Sequence, residues 1–404
     1  MTSMPPRRGP TPHRGRTWYR LDGVVSAAGV ASLLCGAVGA LPDSGPPAVQ
    51  EADPADLTLR VTAVMDDLDL AWDTAFLPNG AMLVTERDRR RILLRLPDGD
   101  RRVVADSAPG LWASGETGLM SIAVDPGFRR NRRFYTCHGA VTDVGHDVRV
   151  VAWRLNASST RAFRTEALVT GIPATTGRHG GCRLELDGSG RLYIGTGDAT
   201  LGRNPQRLTS LGGKVLRVNR FSGGAAAGNP YADAADPSQR IVLTHGHRNV
   251  QGLALRPGGG MWSVEHGTYR DDEVNRLVAG GDYGWDPGPD YDESRPMTDF
   301  SLPGRQRGAR WRSGDPTVAT SGADWLADPR WGPWRGRLAV AALKDASLRV
   351  MEFDGQGRLV SVRRPAALTR YGRLRSVTQG PDGALYVTTS NGGGGDVVLR
   401  VVPE

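Results

Sequence analysis

Short apolar segments that alternate with turns recur along the chain from about residue 60 to its end. Each unit has an apolar strand-like run, a turn built on Pro, Asp and Gly, and a second apolar run, and no long stretch has helical periodicity. The unit occurs six times, beginning near residues 74, 121, 183, 252, 322 and 376. The composition of the turns places three of them at Pro78–Gly80, Asp187–Gly190 and Pro381–Gly383. The pattern therefore predicts an all-β fold built from a repeated hairpin.

A further strand-like segment follows each hairpin, so each repeat holds three or four strands. Repeats of this kind, at irregular spacing close to the length of a propeller blade, are typical of β-propellers. We therefore predict that residues 56–404 form an all-β, six-bladed β-propeller with four-stranded antiparallel blades. The segment 57–64 precedes the first repeat and is expected to complete the last blade, which would close the ring.

Composition and charge agree with this fold and argue against one class of partner. The chain holds 54 glycines and 27 prolines, as expected for a turn-rich protein. Its formal net charge is +8, but half of that charge lies in residues 1–40, which hold five arginines and one aspartate. The basic runs of the remaining chain alternate with strand residues and lack a recognition helix or stacking aromatics. We therefore expect no nucleic-acid partner.

The N-terminus has the pattern of a targeting segment. Five arginines precede an apolar run at residues 24–41. This order predicts a signal peptide or N-terminal membrane anchor over residues 1–41, followed by a flexible linker over residues 42–55. Val38 and Ala40 suit cleavage after Ala40, and an uncleaved anchor is the alternative. We expect a secreted or extracytoplasmic protein that contacts a membrane only through this segment.

Two cysteines remain once the N-terminal segment is set aside. Cys137 lies at the end of a strand in the second repeat, and Cys182 opens the third repeat. Neighbouring blades would therefore bring the two side chains near each other. In an oxidising compartment they can form a disulfide, but two buried free thiols fit the sequence equally well.

Polar side chains stand at the same position in all six repeats, immediately ahead of the first strand of the hairpin. Loops at equivalent positions of a propeller surround one mouth of its channel. Taken alone, each such residue is more often structural, but the shared position favours a functional ring. These residues are Trp72 with Asp73, Glu116, His179, Arg248 with Asn249, Thr317, and Arg373 with Arg375. The ends of the second strands add Asp198, Gly267 and Lys344.

From about residue 66 to its end, the chain resembles the soluble glucose/sorbosone dehydrogenases, which include aldose sugar dehydrogenases that use pyrroloquinoline quinone (PQQ). The matching stretches follow the family's order and include GETGLMSIAVDPGF, HGGCRL, YIGTGD, GHRNVQGLAL, EHGTYRDDEVNRLVAGGDYGW and RLRSVTQGPDGALYV. The resemblance implies a six-bladed propeller with PQQ over the channel mouth and Ca²⁺ beneath the quinone edge. It also implies oxidation of the C1 hydroxyl of an aldose to a lactone, with hydride transfer to PQQ and an unidentified electron acceptor.

The resemblance assigns roles to individual residues of the ring. It implies that His179 is the catalytic base, that Asp198 orients it, and that Arg248 lies beside the reactive carbonyl of the cofactor. A neutral imidazole can take a hydroxyl proton, and arginines bind carboxylates such as those of PQQ. The implied cofactor contacts are Glu116, Arg248, Asn249, Thr317, Lys344, Arg373 and Arg375. The backbone carbonyls of Gly267 and Thr268 are implied to bind Ca²⁺, with Thr268 in place of a common proline.

Two alternatives fit the same fold. A calcium-dependent propeller lactone hydrolase would also use an axial metal and a histidine, but it predicts carboxylate or Asn ligands from several blades, whereas this ring is rich in arginine. A non-catalytic binding propeller would not need the Lys and Arg positions. Asp315 stands where glucose-oxidising members have a tryptophan, so the identity of the sugar stays open.

Overall fold

The computed structural model describes residues 57–106 and 110–404, all of which lie in one compact unit. The targeting segment and linker expected at residues 1–41 and 42–55 lie outside the described residues. The first strand, β1, spans Leu59–Leu68. The strands that follow form six sheets in chain order, and β1 joins the last of them.

The first three sheets, blades 1 to 3, use the chain up to residue 245. Blade 1 contains β2 Ala71–Phe76, β3 Met82–Glu86, β4 Arg91–Arg95 and β5 Arg101–Ala105. Blade 2 contains β6 Leu111–Trp112, β7 Leu119–Val124, β8 Arg133–Thr142, β9 Gly145–Leu155 and β10 Ala162–Pro173. Blade 3 contains β11 Arg183–Leu186, β12 Arg191–Gly195, β13 Lys214–Asn219 and β14 Val242–His245.

The other three sheets complete the ring. Blade 4 contains β15 Val250–Leu255, β16 Met261–Glu265, β17 Glu273–Arg276 and β18 Trp311–Arg312. Blade 5 contains β19 Thr320–Trp325, β20 Leu338–Ala342, β21 Ser347–Phe353 and β22 Leu359–Arg363. Blade 6 contains β23 Leu374–Gln379, β24 Leu385–Thr389 and β25 Asp396–Pro403, together with β1.

This architecture confirms the predicted all-β, six-bladed propeller. All strand pairs within the sheets are antiparallel, and β1 pairs with β25 from Leu59 opposite Pro403 to Leu68 opposite Asp396, so the N-terminal strand closes the ring as expected. Blade 2 departs from the four-stranded prediction, because the short strand β6 joins β8 beyond the end of β7. The three predicted turns at residues 78–80, 187–190 and 381–383 are present.

Helical segments among the described residues are short. They are α1 Phe128–Asn131, α2 Pro237–Arg240 and two 3₁₀ helices, Pro329–Trp334 and Ala366–Tyr371. None of the helices in these ranges is long and apolar enough to cross a membrane.

The apolar core is divided among the interfaces between neighbouring blades. Strand β3 is buried along its whole length, as expected for a strand covered on both faces, whereas the outer strand β5 alternates between exposed and buried positions. One cluster joins blades 2 and 3 through residues such as Tyr135 and Ile194, and another joins blades 6 and 1 through Met65 and Met82. Because each blade buries its faces against its neighbours, the ring is stabilised by contacts around its full circumference.

Cys137 and Cys182 form a disulfide between blades 2 and 3. Cys137 lies in β8, and Cys182 immediately precedes β11, with 5.9 Å between their Cα atoms. The predicted proximity of the two cysteines is therefore confirmed. Both side chains are buried within the apolar cluster that joins the two blades.

A buried ion pair, Asp73 with Arg183, lies among the innermost strands around the channel. The Asp73 carboxylate forms a salt bridge with Arg183 Nη1 at 2.7 Å and accepts hydrogen bonds from the hydroxyls of Ser121 and Ser376, each at 2.6 Å. These four residues come from blades 1, 3, 2 and 6, in that order. Asp73 therefore connects four inner strands beneath the channel mouth.

Candidate functional site

Both sets of polar residues predicted from the sequence reach the same mouth of the channel. In an antiparallel hairpin, the start of the first strand lies beside the end of the second. Thus His179, which precedes β11, lies beside Asp198, which follows β12, and Thr317, which precedes β19, lies near Lys344, which follows β20.

One detail of the predicted ring was wrong. Trp72 and Asp73 lie inside β2, and Arg375 lies inside β23, rather than in the preceding loops. The pairing shifts register at Trp72 and at Arg375, so each is an extra residue in its strand. Such bulges turn a side chain away from the regular alternation of a strand, and both residues still reach the channel, where Arg375 lies over the Trp72 ring.

His179 and Asp198 form a buried hydrogen-bonded pair at the channel mouth. His179 Nδ1 lies 2.8 Å from Asp198 Oδ1, and since a carboxylate only accepts hydrogen bonds, Nδ1 carries the proton. Thr200 N also donates to Oδ1 at 2.8 Å. Trp285 Nε1 and the Tyr291 hydroxyl donate to Oδ2 at 2.8 and 2.7 Å. These bonds fix the orientation of the imidazole, with Nδ1 toward Asp198 and Nε2 on the opposite side of the ring, where the lone pair of the neutral tautomer lies.

The segment that carries His179 requires its glycines. A Cβ atom at Gly177 would overlap the carbonyl of Ser114, and one at Gly181 would lie 2.5 Å from Gly197 N. Gly180 packs in the same way against the Thr117 hydroxyl. The histidine segment is thus held between the loops that carry Glu116 and Asp198, which explains the glycine-rich sequence around it.

A chain of amides connects blade 2 to blade 6 across the mouth. Asn249 Nδ2 donates to Glu116 Oε2 at 2.8 Å, and Gln251 Nε2 donates to Asn249 Oδ1 at 3.0 Å. Arg375 Nη1 in turn donates to Gln251 Oε1 at 2.9 Å. Burial opposes ionisation of Glu116 most strongly, but His179 and the other polar neighbours lower the pKa of its carboxyl overall. Glu116 is therefore an anion at neutral pH.

Hydrogen bonds fix both the backbone and the side chain of Arg248. The Glu265 carboxylate accepts hydrogen bonds from Arg248 N at 2.9 Å and from His247 Nδ1, the donor on that ring, at 2.8 Å. The Arg248 guanidinium donates to Glu293 Oε1 at 2.5 Å, and Arg178 donates to the same oxygen at 2.7 Å. The side chain of Arg248 is 4% exposed, so its position at the mouth is fixed.

Cations without an acidic partner line the opposite part of the mouth. Within the described ranges, no carboxylate lies within 4 Å of the charged nitrogens of Lys344, Arg373 or Arg375. Lys344 Nζ has only a long hydrogen bond of 3.4 Å to Thr317 Oγ1. Burial and the nearby Arg87 guanidinium lower the pKa of Arg375 to about 9. This part of the mouth therefore carries positive charge that the protein itself does not neutralise.

Gly267 and Thr268 lie in a loop that a buried aspartate organises. Asp272 Oδ1 accepts a hydrogen bond from Gly267 N at 2.9 Å, and its Oδ2 accepts from Val318 N and Ala319 N, each at 2.7 Å. Asp272 thereby joins this loop to the start of β19 in the next blade. Among the residues that the structure describes, no cluster of three His, Cys, Asp or Glu side chains is suited to hold a metal ion.

Several residues that organise the site are not predicted from the sequence. Trp285, Tyr291 and Glu293 lie between β17 and β18, outside the repeated hairpin. The repeat therefore does not predict where these side chains lie in the fold. Gln251 is a bulge residue of β15, and a pattern of apolar and polar positions does not show such a register shift. Asp271 has the positive φ of a turn residue, 59°, whereas the adjacent Asp272 is fully buried, a difference that the sequence does not show.

The fold and site together define a six-bladed propeller with a histidine–aspartate pair and a cationic rim at one channel mouth. The family model for glucose/sorbosone dehydrogenases matches residues 68–400. The chain belongs to this family, as the sequence resemblance indicated.

Individual relatives agree with this assignment. The aldose sugar dehydrogenase YliI of Escherichia coli is 30% identical over 369 residues, which cover 87% of this chain and 94% of the relative. The apo-form of the soluble aldose sugar dehydrogenase of Escherichia coli matches with a TM-score of 0.77 and 28% identity, covering 86% of this chain and 100% of that structure. The PQQ-bound aldose sugar dehydrogenase of Streptomyces coelicolor matches with a TM-score of 0.73 and 28% identity, covering 87% of this chain and 100% of that structure.

Proposed function

We propose that this protein is an exported, PQQ- and calcium-dependent dehydrogenase that oxidises the C1 hydroxyl of aldose sugars to lactones. The observation that carries the proposal is the pairing of an oriented imidazole, His179 on Asp198, with a rim of cations that form no ion pair with a carboxylate of the described residues. A base beside an anion-binding surface is the combination that sugar oxidation with a trianionic cofactor requires.

Buried polar atoms at the mouth fit PQQ. The side-chain nitrogens Arg248 Nε, His266 Nε2 and Arg375 Nε are buried without a hydrogen-bond partner. Such orphaned groups are costly unless a ligand satisfies them. Thr317, Lys344, Arg373 and Arg375 would bind the carboxylates of PQQ, while Glu116, Arg248 and Asn249 would contact its reactive edge. When bound, PQQ would supply the hydride acceptor.

The loop at residues 266–272 fits Ca²⁺ as a carbonyl site. In the described part of the chain, no hydrogen-bond donor reaches the carbonyl oxygens of Gly267 or Thr268. Carbonyl oxygens are ordinary Ca²⁺ ligands, and the identity of the Thr268 side chain does not affect its backbone oxygen. Asp272 would keep the loop in place from behind, through its bond to Gly267 N.

The protein's own residues account for the proton and the charge in the reaction. His179 Nε2 would accept the proton of the C1 hydroxyl, and the Asp198 carboxylate would stabilise the imidazolium that forms. The Arg248 guanidinium would stabilise negative charge that develops at the reactive edge. Tyr291 and Trp285 would keep the Asp198 carboxylate aligned with the ring throughout the reaction.

The alternatives are less well supported. A lactone hydrolase would need free carboxylates to bind its metal, but Asp198, Glu265 and Asp272 are engaged by donors from the protein.

We further propose that the sugar is a small-molecule partner, that a separate acceptor takes the electrons, and that nucleic acid is not bound. Export, with cleavage or retention of residues 1–41, is part of the proposal.

Reconstitution tests this function. The purified protein is incubated with PQQ and Ca²⁺, with either one alone, or with neither, and aldose-dependent reduction of an artificial dye is measured. We expect activity only when both are present, and loss of activity on chelation of Ca²⁺. Equal dye reduction without PQQ, or hydrolysis of a lactone without dye reduction, would overturn the proposal.

A further inference from the structure

The long connection between β17 and β18, residues 277–310, reaches over the candidate active site. It places the Tyr291 hydroxyl 2.9 Å from His179 Nδ1. Two residues further along, it places Glu293 Oε1 2.5 Å from Arg248 Nη2. One short segment thus contacts both the candidate base and the guanidinium expected at the reactive edge.

Glu293 is a partly exposed carboxylate between two guanidinium groups. Its side chain is 36% exposed, compared with 4% for Arg248 and 48% for Arg178. Burial opposes ionisation, but the hydrogen bonds from Arg248 and Arg178 lower the pKa of the Glu293 carboxyl overall. The side chain is therefore an anion at neutral pH, on the solvent side of the site where a sugar must enter.

We propose that Glu293 is a specificity-determining residue that disfavours anionic aldoses, such as uronic acids, relative to neutral aldoses. This inference rests on the proposed function, because it names the substrate class of the same site. Glu293 is paired with Arg248, the guanidinium expected at the reactive edge, and lies two residues from Tyr291, which contacts His179, so a sugar bound between His179 and Arg248 would lie near the Glu293 carboxylate. Removing this negative charge leaves Arg178 and Arg248 without their shared partner, and the mouth gains one positive charge.

The expected effect follows from Coulomb's law. For unit charges about 8 Å apart, an effective dielectric constant between about 20 and 80 gives a change of about two- to thirtyfold in relative preference. The change should shrink at high ionic strength, since the site is open to solvent.

Three variants separate charge from structure. E293Q removes the charge, and E293D retains it. E166Q is the matched control: Glu166 also pairs with an arginine, Arg133, through Oε1 at 2.5 Å and is 43% exposed, but it lies on β10 of blade 2 and forms no part of the site. The readout is kcat/KM for glucuronate divided by kcat/KM for glucose. We expect this ratio to rise about two- to thirtyfold in E293Q and to change less than in E293Q, by under about twofold, in E293D and E166Q.

Binding to the cofactor-free protein provides a second readout. The dissociation constants of glucuronate and glucose are measured by NMR titration, and E293Q should shift their ratio toward glucuronate. If wild type oxidises aldoses but E293Q changes neither ratio, or E166Q changes them equally, the inference about Glu293 is wrong. If wild type oxidises no aldose but E293Q shifts the binding ratio, the proposed function fails and the selectivity of Glu293 stands. If there is neither oxidation nor a shift in binding, both are overturned.

Discussion

Replacing Asp198 by asparagine tests whether orientation of His179 is the basis of catalysis. The aspartate carboxylate accepts four hydrogen bonds, from His179, Thr200, Trp285 and Tyr291. An asparagine has one acceptor oxygen and an NH₂ group that only donates. If the oxygen of the introduced amide faces Trp285 and Tyr291, its NH₂ group faces His179 Nδ1.

The expected loss of activity in Asp198→Asn follows from a change in the tautomer of the His179 imidazole. An NH₂ donor at Nδ1 makes that nitrogen an acceptor, so the imidazole proton moves to Nε2 and the lone pair needed for the substrate is lost. General-base catalysis by a positioned side chain is worth about a hundred- to ten-thousandfold in rate. We therefore expect Asp198→Asn to lower kcat with a saturating aldose by about two to four powers of ten.

The assay separates this effect from loss of the cofactor or of the fold. PQQ affinity should remain close to wild type, because none of the four bonds involves Lys344, Arg373 or Arg375. Asp187→Asn is the matched control: its carboxylate also accepts hydrogen bonds from neighbouring residues, among them Arg191 and Tyr193, but at the turn between β11 and β12. Turnover of Asp198→Asn within threefold of wild type at saturating PQQ would refute the role of Asp198.

Three further predictions concern the site and the fold. His179→Ala should bind PQQ almost normally but lose most turnover, whereas Lys344→Ala should weaken PQQ binding and regain rate with added cofactor; the same defect in both variants would contradict the separate roles. Asp73→Asn leaves the buried Arg183 charge unpaired, which costs about 3–5 kcal/mol and should lower Tm by about 4–7 °C for a chain of this size; calorimetry showing an unchanged Tm would contradict it. The Cys137–Cys182 bond joins residues 45 positions apart, so replacing both cysteines by Ser should lower the free energy of unfolding by up to about 4 kcal/mol, as measured by denaturant unfolding. Reductant should destabilise the wild type but not this variant, and an equal loss of stability in both would contradict a stabilising disulfide.

The sequence contained enough information for the fold because the fold is repetitive. Six hairpins with turns such as Asp187–Gly190 constrain one another, and the same spacing brings residues such as His179 and Asp198 to one mouth. The sequence alone does not decide between a disulfide and two free thiols, since the distance between Cys137 and Cys182 depends on how neighbouring blades pack.

The rest of the site depends on features that have no repeat. Tyr291 and Glu293 come from a connection between β17 and β18 whose path is set by tertiary contacts such as the Tyr291 bond to Asp198. Gln251 reaches the mouth through a β-bulge, and a second bulge places the predicted Arg375 inside β23; single-residue register shifts of this kind do not show in a pattern of apolar and polar positions. Asp272 resembled a turn residue because only the folded chain brings Val318 N to its carboxylate.

Anaerobic mixing of the PQQ- and Ca²⁺-loaded protein with an aldose tests the central claim most directly. With no electron acceptor present, the absorbance of the bound quinone is followed together with the lactone formed. We expect the aldose to convert the bound quinone to its reduced form, with one lactone formed per bound PQQ. In His179→Ala loaded to the same extent, the quinone should be reduced more slowly by about a hundredfold or more. An unchanged quinone spectrum in wild type loaded with PQQ and Ca²⁺, across hexoses and pentoses, would contradict the central claim.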